Sequence, residues 1–297
     1  METLNALAKL AWDRGRPRDA KEASERALVI ARAKLPPDDE RLGWSLYHLG
    51  DSEMFLGRSE EARRFLTEAR QVFEKALGSE SLPVAWCFND LGMIYSEHEF
   101  DFEKASEHYE QALRIKMRLL SSDHPDLAIA KGNLGNNLVQ LGQYADAERL
   151  LRQALSDGER SFGPDHPFTA AVVESLGELA WRRGDLVEAS KLLERARRAQ
   201  EAILDPSSPY GLAQTLHTLA CVRRDQERYR EAEELFERAL SILESSLGSD
   251  NAQTRQTRSE YAKLLRRMGR TADAEAMEAR ARATAVPAAS PETVPGR

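Results

Sequence analysis

The chain has 297 residues, with 42 Lys and Arg against 49 Asp and Glu and a net charge of −7. Hydrophobic residues make up 41%, too many for a disordered chain, and charged residues 31%, too many for a membrane-embedded one. The acidic balance also speaks against bulk nucleic-acid binding. No run approaches the ~18 consecutive apolar residues of a spanning helix. The stretch Met1–Lys9 has no basic region ahead of an apolar core, so neither membrane insertion nor a secretory signal is expected. Two cysteines, Cys87 and Cys221, are too few and too far apart for a disulfide framework or a zinc site. They point to a reduced, cytoplasmic setting.

Along the chain a period emerges. A small residue recurs at Ala8, Gly50, Gly92, Gly135, Gly177, Ala220 and Ala262, and a second at Ala20, Ala62, Ala105, Ala147, Ala189, Ala232 and Ala274. A third follows at Ala27, Ala69, Ala112, Ala154, Ala196, Ala239 and Ala281. The second series is spaced 42, 43, 42, 42, 43 and 42 residues. Seven copies result, at about 1–39, 40–81, 82–124, 125–166, 167–208, 209–251 and 252–282.

The first copy starts almost at Met1, so no separate N-terminal domain is expected. In the third, Gly92 to Ala105 is 13 residues where the other copies have 12, which places one extra residue in the turn near Glu99-Phe100-Asp101. In the fourth, Leu127, Leu134 and Leu138 form an apolar stripe at helical spacing, Gly142 interrupts it, and Ala147, Leu150, Leu151 and Ala154 resume it. Each copy therefore reads as two helices and a tight turn. Gly15, Gly57, Gly184 and Gly269 share the slot of Gly142. Connectors carry Pro at the next helix start, as in His124-Pro125 and His166-Pro167. A second extra residue falls in the connector Asp205–Pro209. The small residues are expected where helices cross closely, with Leu and Phe filling the space around them. A coiled coil is the rival reading, but the Gly and Pro breakers oppose it. In the seventh copy Glu278 stands where others have Leu66, Tyr109, Leu151, Leu193 or Phe236, a polar face that ends a stack. Residues 283–297, rich in Ala and Pro, are expected to be disordered.

The pattern resembles the tetratricopeptide repeat, best in the sixth copy: Leu219-Ala220, Tyr229-Arg230-Glu231-Ala232, Phe236 and Ala239-Leu240. The ~42-residue period and the His-Pro connectors are similar to the kinesin-light-chain-like subclass. The resemblance covers about residues 1–282 and implies an all-α, right-handed superhelical solenoid of seven antiparallel helix pairs. It also implies that the first helices of successive copies line a concave groove that binds peptides.

Carried over residue by residue, the groove positions run in chain order as follows. The first copy offers Trp12, with Asn5, Lys9 and Asp13. The second offers Trp44, Tyr47, Asp51, Met54 and Phe55, and the third Trp86, Asn89 and Met93. Asn136 follows in the fourth copy, Trp181 and Glu178 in the fifth, His217, Cys221 and Arg224 in the sixth, and Lys263, Arg266 and Arg267 in the seventh. Aromatic and Met side chains concentrate in copies one to three. They suggest an interaction site for apolar anchors, although Trp44 and Trp86 could equally cap the packing between copies. Basic residues prevail in the seventh copy and could steer an acidic segment, or simply form a solvated face. The chaperone-type carboxylate clamp is not expected, because Asn136 lacks its partners in the neighbouring copies.

No phosphate loop, H-E-x-x-H, C-x-x-C or nucleophile elbow is present, and Glu97-His98-Glu99 with Glu107 and His108 reads as a solvated acidic turn rather than a metal site. The expectation is a non-enzymatic scaffold or adaptor without cofactor or metal, a monomer or weak homodimer, that takes a peptide segment of a partner. That segment would set apolar anchors on copies one to three and acidic groups on copies six and seven. The alternative is a regulatory or peptide-sensing subunit acting in trans on a kinase or transcription factor. Neither nucleic acid nor membrane is an expected partner.

Overall fold

The computed structural model describes residues 2–14, 16–203 and 210–282. For Glu2, Trp12, Asp13, Pro17, His98, Ile203 and Tyr210 it describes the backbone alone. The connector Asp205–Pro209, Gly15 and the stretch 283–297 lie outside the described residues. Two compact units make up the chain, Met1–Ser175 and Leu176–Arg297.

The described residues are all-helical. The helices are α1 (Glu2–Asp13), α2 (Pro17–Lys34), α3 (Glu40–Phe55), α4 (Ser59–Leu77), α5 (Leu82–Met93), α6 (Phe102–Leu119), α7 (Pro125–Gln140), α8 (Tyr144–Ser161) and α9 (Pro167–Arg182). They continue with α10 (Leu186–Ile203), α11 (Tyr210–Asp225), α12 (Tyr229–Leu247), α13 (Ala252–Arg267) and α14 (Thr271–Arg282). In the first unit each helix packs on the next from α1 through α8, and α1 also touches α3. In the second unit α10 through α14 pack in the same consecutive way, and α11 touches α13. This nearest-neighbour packing of helix hairpins is the arrangement of a helical-repeat solenoid.

The small residues sit where helices cross. A Cβ added to Gly50 would lie 2.7 Å from Leu66 Cγ, and one on Gly135 2.8 Å from Leu151 Cγ. Gly177 meets Leu193 at 2.7 Å and Gly92 meets the Tyr109 ring at 2.7 Å. The large partner is always four residues beyond the second small residue, so the first helix of a hairpin lies backbone-close against the one side chain that plugs the crossing. All seven residues of the second series are buried. In the third series only Ala281 is partly open, as befits a last helix with Glu278 in place of the plug.

Helix starts follow local chemistry. His124 Nδ1 accepts from the Asp126 N–H at 3.1 Å and His166 Nδ1 from the Phe168 N–H at 3.2 Å, each just ahead of Pro125 and Pro167. These histidines are helix caps. Asp39 and Asn251 cap α3 and α13 in the same manner at 2.9 Å.

The turn between paired helices needs one residue in the left-handed region, five before the second small residue. Gly57, Gly142, Gly184 and Gly269 take it with φ between 73° and 83°. Phe100 (φ 55°) and Glu227 (φ 62°) take it without the glycine advantage. The extra residue of the third copy is not in this turn. It is absorbed one step earlier, where Ile94–Glu99 widens into a π-helix. The closing bond accordingly runs from Asp101 N–H to Tyr95 O, six residues, where Gln143 N–H to Leu138 O spans five. Keeping the turn and widening the helix preserves both crossings.

Candidate functional site

In the first unit, Trp44, Tyr47 and Asp51 stand at i, i+3 and i+7 on α3, and Trp86, Asn89, Asp90 and Met93 share the matching face of α5. The rings meet: Trp44 lies 5.7 Å from Trp86, 5.9 Å from Tyr47 and 5.2 Å from the buried Phe73. Each indole N–H is held by a carboxylate, Trp44 by Glu40 at 3.0 Å and Trp86 by Asp126 at 3.2 Å. Both rings are half-buried, and Trp44 packs against the buried cluster that holds Phe73 and Val84. This disposition is that of aromatic anchors rather than of sealed core residues.

The same two helices carry a buried polar pair. Asp51 and Asp90 are each 8% exposed and lie close enough to act on each other's proton. Burial, and then the neighbouring Asp90, pushes the Asp51 carboxyl far above the usual range. Burial raises Asp90 too, against the opposing influence of Tyr47, Asn89, Asp51 and Lys116. Asn89 Nδ2 donates to Asp90 Oδ1 at 3.0 Å and also reaches Met93 Sδ at 3.7 Å, while Asn133 donates to Asn89 Oδ1 at 2.9 Å. The other Asp90 oxygen, Oδ2, is buried without a hydrogen-bond partner.

The remaining predicted residues of this unit divide by depth. Met54 is buried in the cluster of Ala62, Leu66, Leu91 and Ile94, behind the open face. Tyr47, Asn89 and Met93 are half-buried, and Asn136 is exposed on α7. The side chain of Trp12 lies outside the described residues.

The second unit differs in kind. Trp181 Nε1 donates to Asp225 Oδ2 at 2.9 Å, and Arg267 reaches Asp225 Oδ1 at 3.1 Å. Arg224 is buried and pairs with Glu260 at 2.6 Å and Asp225 at 3.1 Å. Lys263, exposed, pairs with Glu260 at 2.6 Å, and Arg266 with Glu278. Arg258 and Arg270 find Glu244 and Glu233 on α12. Three of the basic residues of copy seven, Arg258, Arg267 and Arg270, are thus answered by acids of copy six, which a count within one copy does not see.

His217 is buried, with Nδ1 at 3.0 Å from Thr257 Oγ1 and Nε2 at 3.9 Å from Cys221 Sγ. Glu260 Oε2 is 4.0 Å from the same sulfur. The trio has the composition of a thiol dyad with an orienting acid, but its electrostatics oppose that chemistry. Burial holds the imidazole down, at about 4, and pushes the thiol up. A neutral imidazole beside a protonated thiol is not an activated nucleophile. Both cysteines are free and buried. Among the described residues, no group of three or more His, Cys, Asp or Glu is arranged to hold a metal, and no helix is long and apolar enough to cross a membrane.

Sequence reasoning placed Asp51 on the groove face but passed over Asp90. Asp90 stands two residues before Gly92, outside the carried-over positions, and its significance comes only from the helix beside it.

Known proteins bear on the fold. The chain matches two tetratricopeptide repeat family models, one over residues 41–118, 97–157, 126–202 and 211–285 and the other over 1–40. Comparison with curated protein sequences gives no match. Among solved structures, a putative kinesin light chain of Podosopora anserina with nearly identical TPR-like repeats has 24% identity and a TM-score of 0.55, covering 68% of this chain and 96% of that one. The apo form of RapI has 14% identity and a TM-score of 0.69, covering 94% and 95%. A Rap protein complexed with Competence and Sporulation Factor has 16% identity and a TM-score of 0.64, covering 88% and 79%. At these identities the structural likeness speaks for the fold alone. The family matches run through nearly all of the sequence, and the chain belongs to the tetratricopeptide repeat family.

Proposed function

We propose that this protein is a non-enzymatic interaction scaffold that holds a segment of a partner protein against the first helices of its repeats. The observation that carries the reading is the half-buried Trp44–Trp86 pair, with Tyr47 and Met93 beside it, on adjacent first helices. Large rings that are fixed on one side and open on the other bind at low entropic cost. Trp44, Tyr47, Trp86, Asn89 and Met93 make the direct contacts, Met54 supports them from behind, and Asn136 extends the surface. In the second unit Trp181, Lys263 and Arg266 serve acidic groups of the partner, with His217 and Arg224 setting the wall beneath. Because those cations already have partners, an acidic ligand there exchanges one ion pair for another and adds specificity more than affinity. The setting is a reducing, cytoplasmic one, in keeping with two buried free thiols.

The test starts from partners identified by co-purification and mass spectrometry. Their binding segments are then titrated against wild type and Trp44→Ala/Trp86→Ala. Loss of at least about tenfold in affinity with unchanged helicity is expected, since truncated aromatic anchors cost about 2 kcal/mol or more each. Unaltered binding by a folded variant removes this surface from the account.

A second reading, a peptide-sensing regulatory subunit that acts in trans on a kinase or transcription factor, is favoured by one observation. The chain and RapI cover each other almost end to end, and another similar structure is a Rap protein complexed with Competence and Sporulation Factor. A rise in melting temperature with the short-peptide fraction of a cell extract favours it, and a response to large proteins only disfavours it.

A further inference from the structure

Burial at equivalent positions sets copy one apart. The residue before the first small residue is buried in all six later copies, Leu49 through Tyr261, but Leu7 is 49% exposed. The residue two after it, Ser52 through Leu264, is likewise buried six times, but Leu10 is 44% exposed. The later copies also reveal what covers these positions. Leu91 and Ile94 share a buried cluster with Ala62 and Leu66 of α4, and Leu219 and Val222 of α11 share one with Ala189 and Leu193 of α10. In both, the cover is the preceding second helix, which presents an alanine and, four residues on, a leucine. Among the described residues α1 has no preceding helix, and the face of Leu7 and Leu10 stays open.

α1 carries both halves of this contact. Ala6 and Leu10 are exposed and four residues apart, the spacing of Ala62 and Leu66, beside the Leu7 and Leu10 that such a pair covers. A surface that is both cover and covered is self-complementary, which is what a twofold interface requires. The direction agrees. The short connector 35–39 leaves α2 antiparallel to α3, and a twofold axis across the face sets two α1 helices antiparallel too. Head-to-tail stacking of copies is opposed by the last helix. On α14 Glu278 stands in the leucine's place and pairs with Arg266 and Arg282, so that helix offers a carboxylate where Leu7 and Leu10 call for an apolar plug.

We propose that the open face of α1, formed by Ala6, Leu7 and Leu10, pairs with the same face of a second copy to make a twofold dimer. The proposal is independent of the groove reading. An apolar face left open at the end of a helical stack drives the pairing, and Ala6 lets the two backbones approach. The face is small, because α1 has 12 residues. About 18 Å of helix falls short of the about 800 Å² per partner of a standard interface, so the dimer dissociates at on the order of 10–100 μM.

Sedimentation equilibrium of the full chain tests it. At loads from about 1 to about 500 μM the mass is expected to rise from the 33.4 kDa of one chain toward twice that, with no higher species. Leu7→Glu/Leu10→Glu, checked for unchanged circular dichroism, should weaken association at least about tenfold, since it sets like charges across the axis. A second measurement does not depend on that variant's folding. Leu7→Cys should form an intermolecular disulfide in air at least about tenfold faster than Val187→Cys, because the dimer raises the effective concentration of one thiol at the other. Val187 is 78% exposed on α10, and the native Cys87 and Cys221 are buried. A mass of 33.4 kDa at every load overturns the proposal and leaves the face to a different cover. Association beyond the dimer overturns it in favour of head-to-tail stacking. Association that survives the double substitution in a folded protein, or equal cross-linking of the two cysteine variants, overturns it as well.

Discussion

Glu227 offers a clean perturbation of the repeat geometry. It occupies the left-handed slot of the α11–α12 turn at φ 62°, where four other copies among the described residues have glycine. Its hydrogen bonds are those of the glycine turns: Glu227 N–H to Arg224 O at 3.0 Å and Arg228 N–H to Arg223 O at 2.8 Å. Gly142 shows the same pattern at 3.1 and 3.0 Å. The Glu227 side chain is exposed and makes no ion pair among the described residues, so removing it forfeits none there. A non-glycine residue in this region pays about 1–2 kcal/mol. Glycine returns about 0.5–1 kcal/mol of that through the freedom of the unfolded chain. Glu227→Gly is therefore expected to stabilise by about 0.5–1 kcal/mol, or about 1–3 °C in melting temperature. Removing a negative charge from the C-terminal end of α11 adds a salt-screened increment of the same sign. The mirror variant is Gly142→Ala. Nothing lies within 4 Å of its added Cβ, so its cost, about 1 kcal/mol, is backbone conformation alone. Urea titrations followed by circular dichroism at high salt measure both. A destabilised or unchanged Glu227→Gly beside a neutral Gly142→Ala would show that φ at this slot is not what holds the turn.

Other expectations follow from the same structure. Gly50→Val should destabilise by about 1–3 kcal/mol, because even its Cβ meets Leu66 Cγ at 2.7 Å and the Leu66 backbone nitrogen at 3.3 Å; thermal melts check it. The raised carboxyl pKa values of Asp51 and Asp90 mean that the folded state holds more protons than the unfolded one above about pH 4. Their contribution is thus present in acid and lost as pH rises, and the stability difference between wild type and Asp51→Asn should shift against wild type from pH 4 to 8. His217 has the opposite sign. With its folded value at about 4 against 6.5 unfolded, the unfolded state takes up the proton first. Its stabilisation is complete above pH 6.5 and falls away towards pH 4, by about 3 kcal/mol in all. A His217→Gln variant should show a flatter profile over that window in chemical denaturation, and an unchanged profile would refute the assignment.

Much of the fold was legible because a repeat advertises itself. Small residues at a fixed interval appear only if each copy must solve the same crossing. The glycine slot and the His-Pro connectors report backbone conformations that are local, so their meaning is readable from a few consecutive residues. The caps at His124 and His166 belong to this class, as does the polar last helix with Glu278.

Where two distant residues had to meet, the sequence was silent. Asp51 and Asp90 are ordinary acids on separate helices until the stacking of α3 and α5 buries them against each other. Arg224, Arg266 and Arg267 read as a positive surface until Glu260, Glu278 and Asp225 reach them from other helices. The extra residue of the third copy can be counted from the sequence, but its placement in the turn is wrong, because a π-helix and a longer turn add the same length. Helical periodicity and turn chemistry act over a few residues and are written in the chain. Electrostatic neutrality, desolvation and the meeting of rings act through space, and only the packed helices decide them.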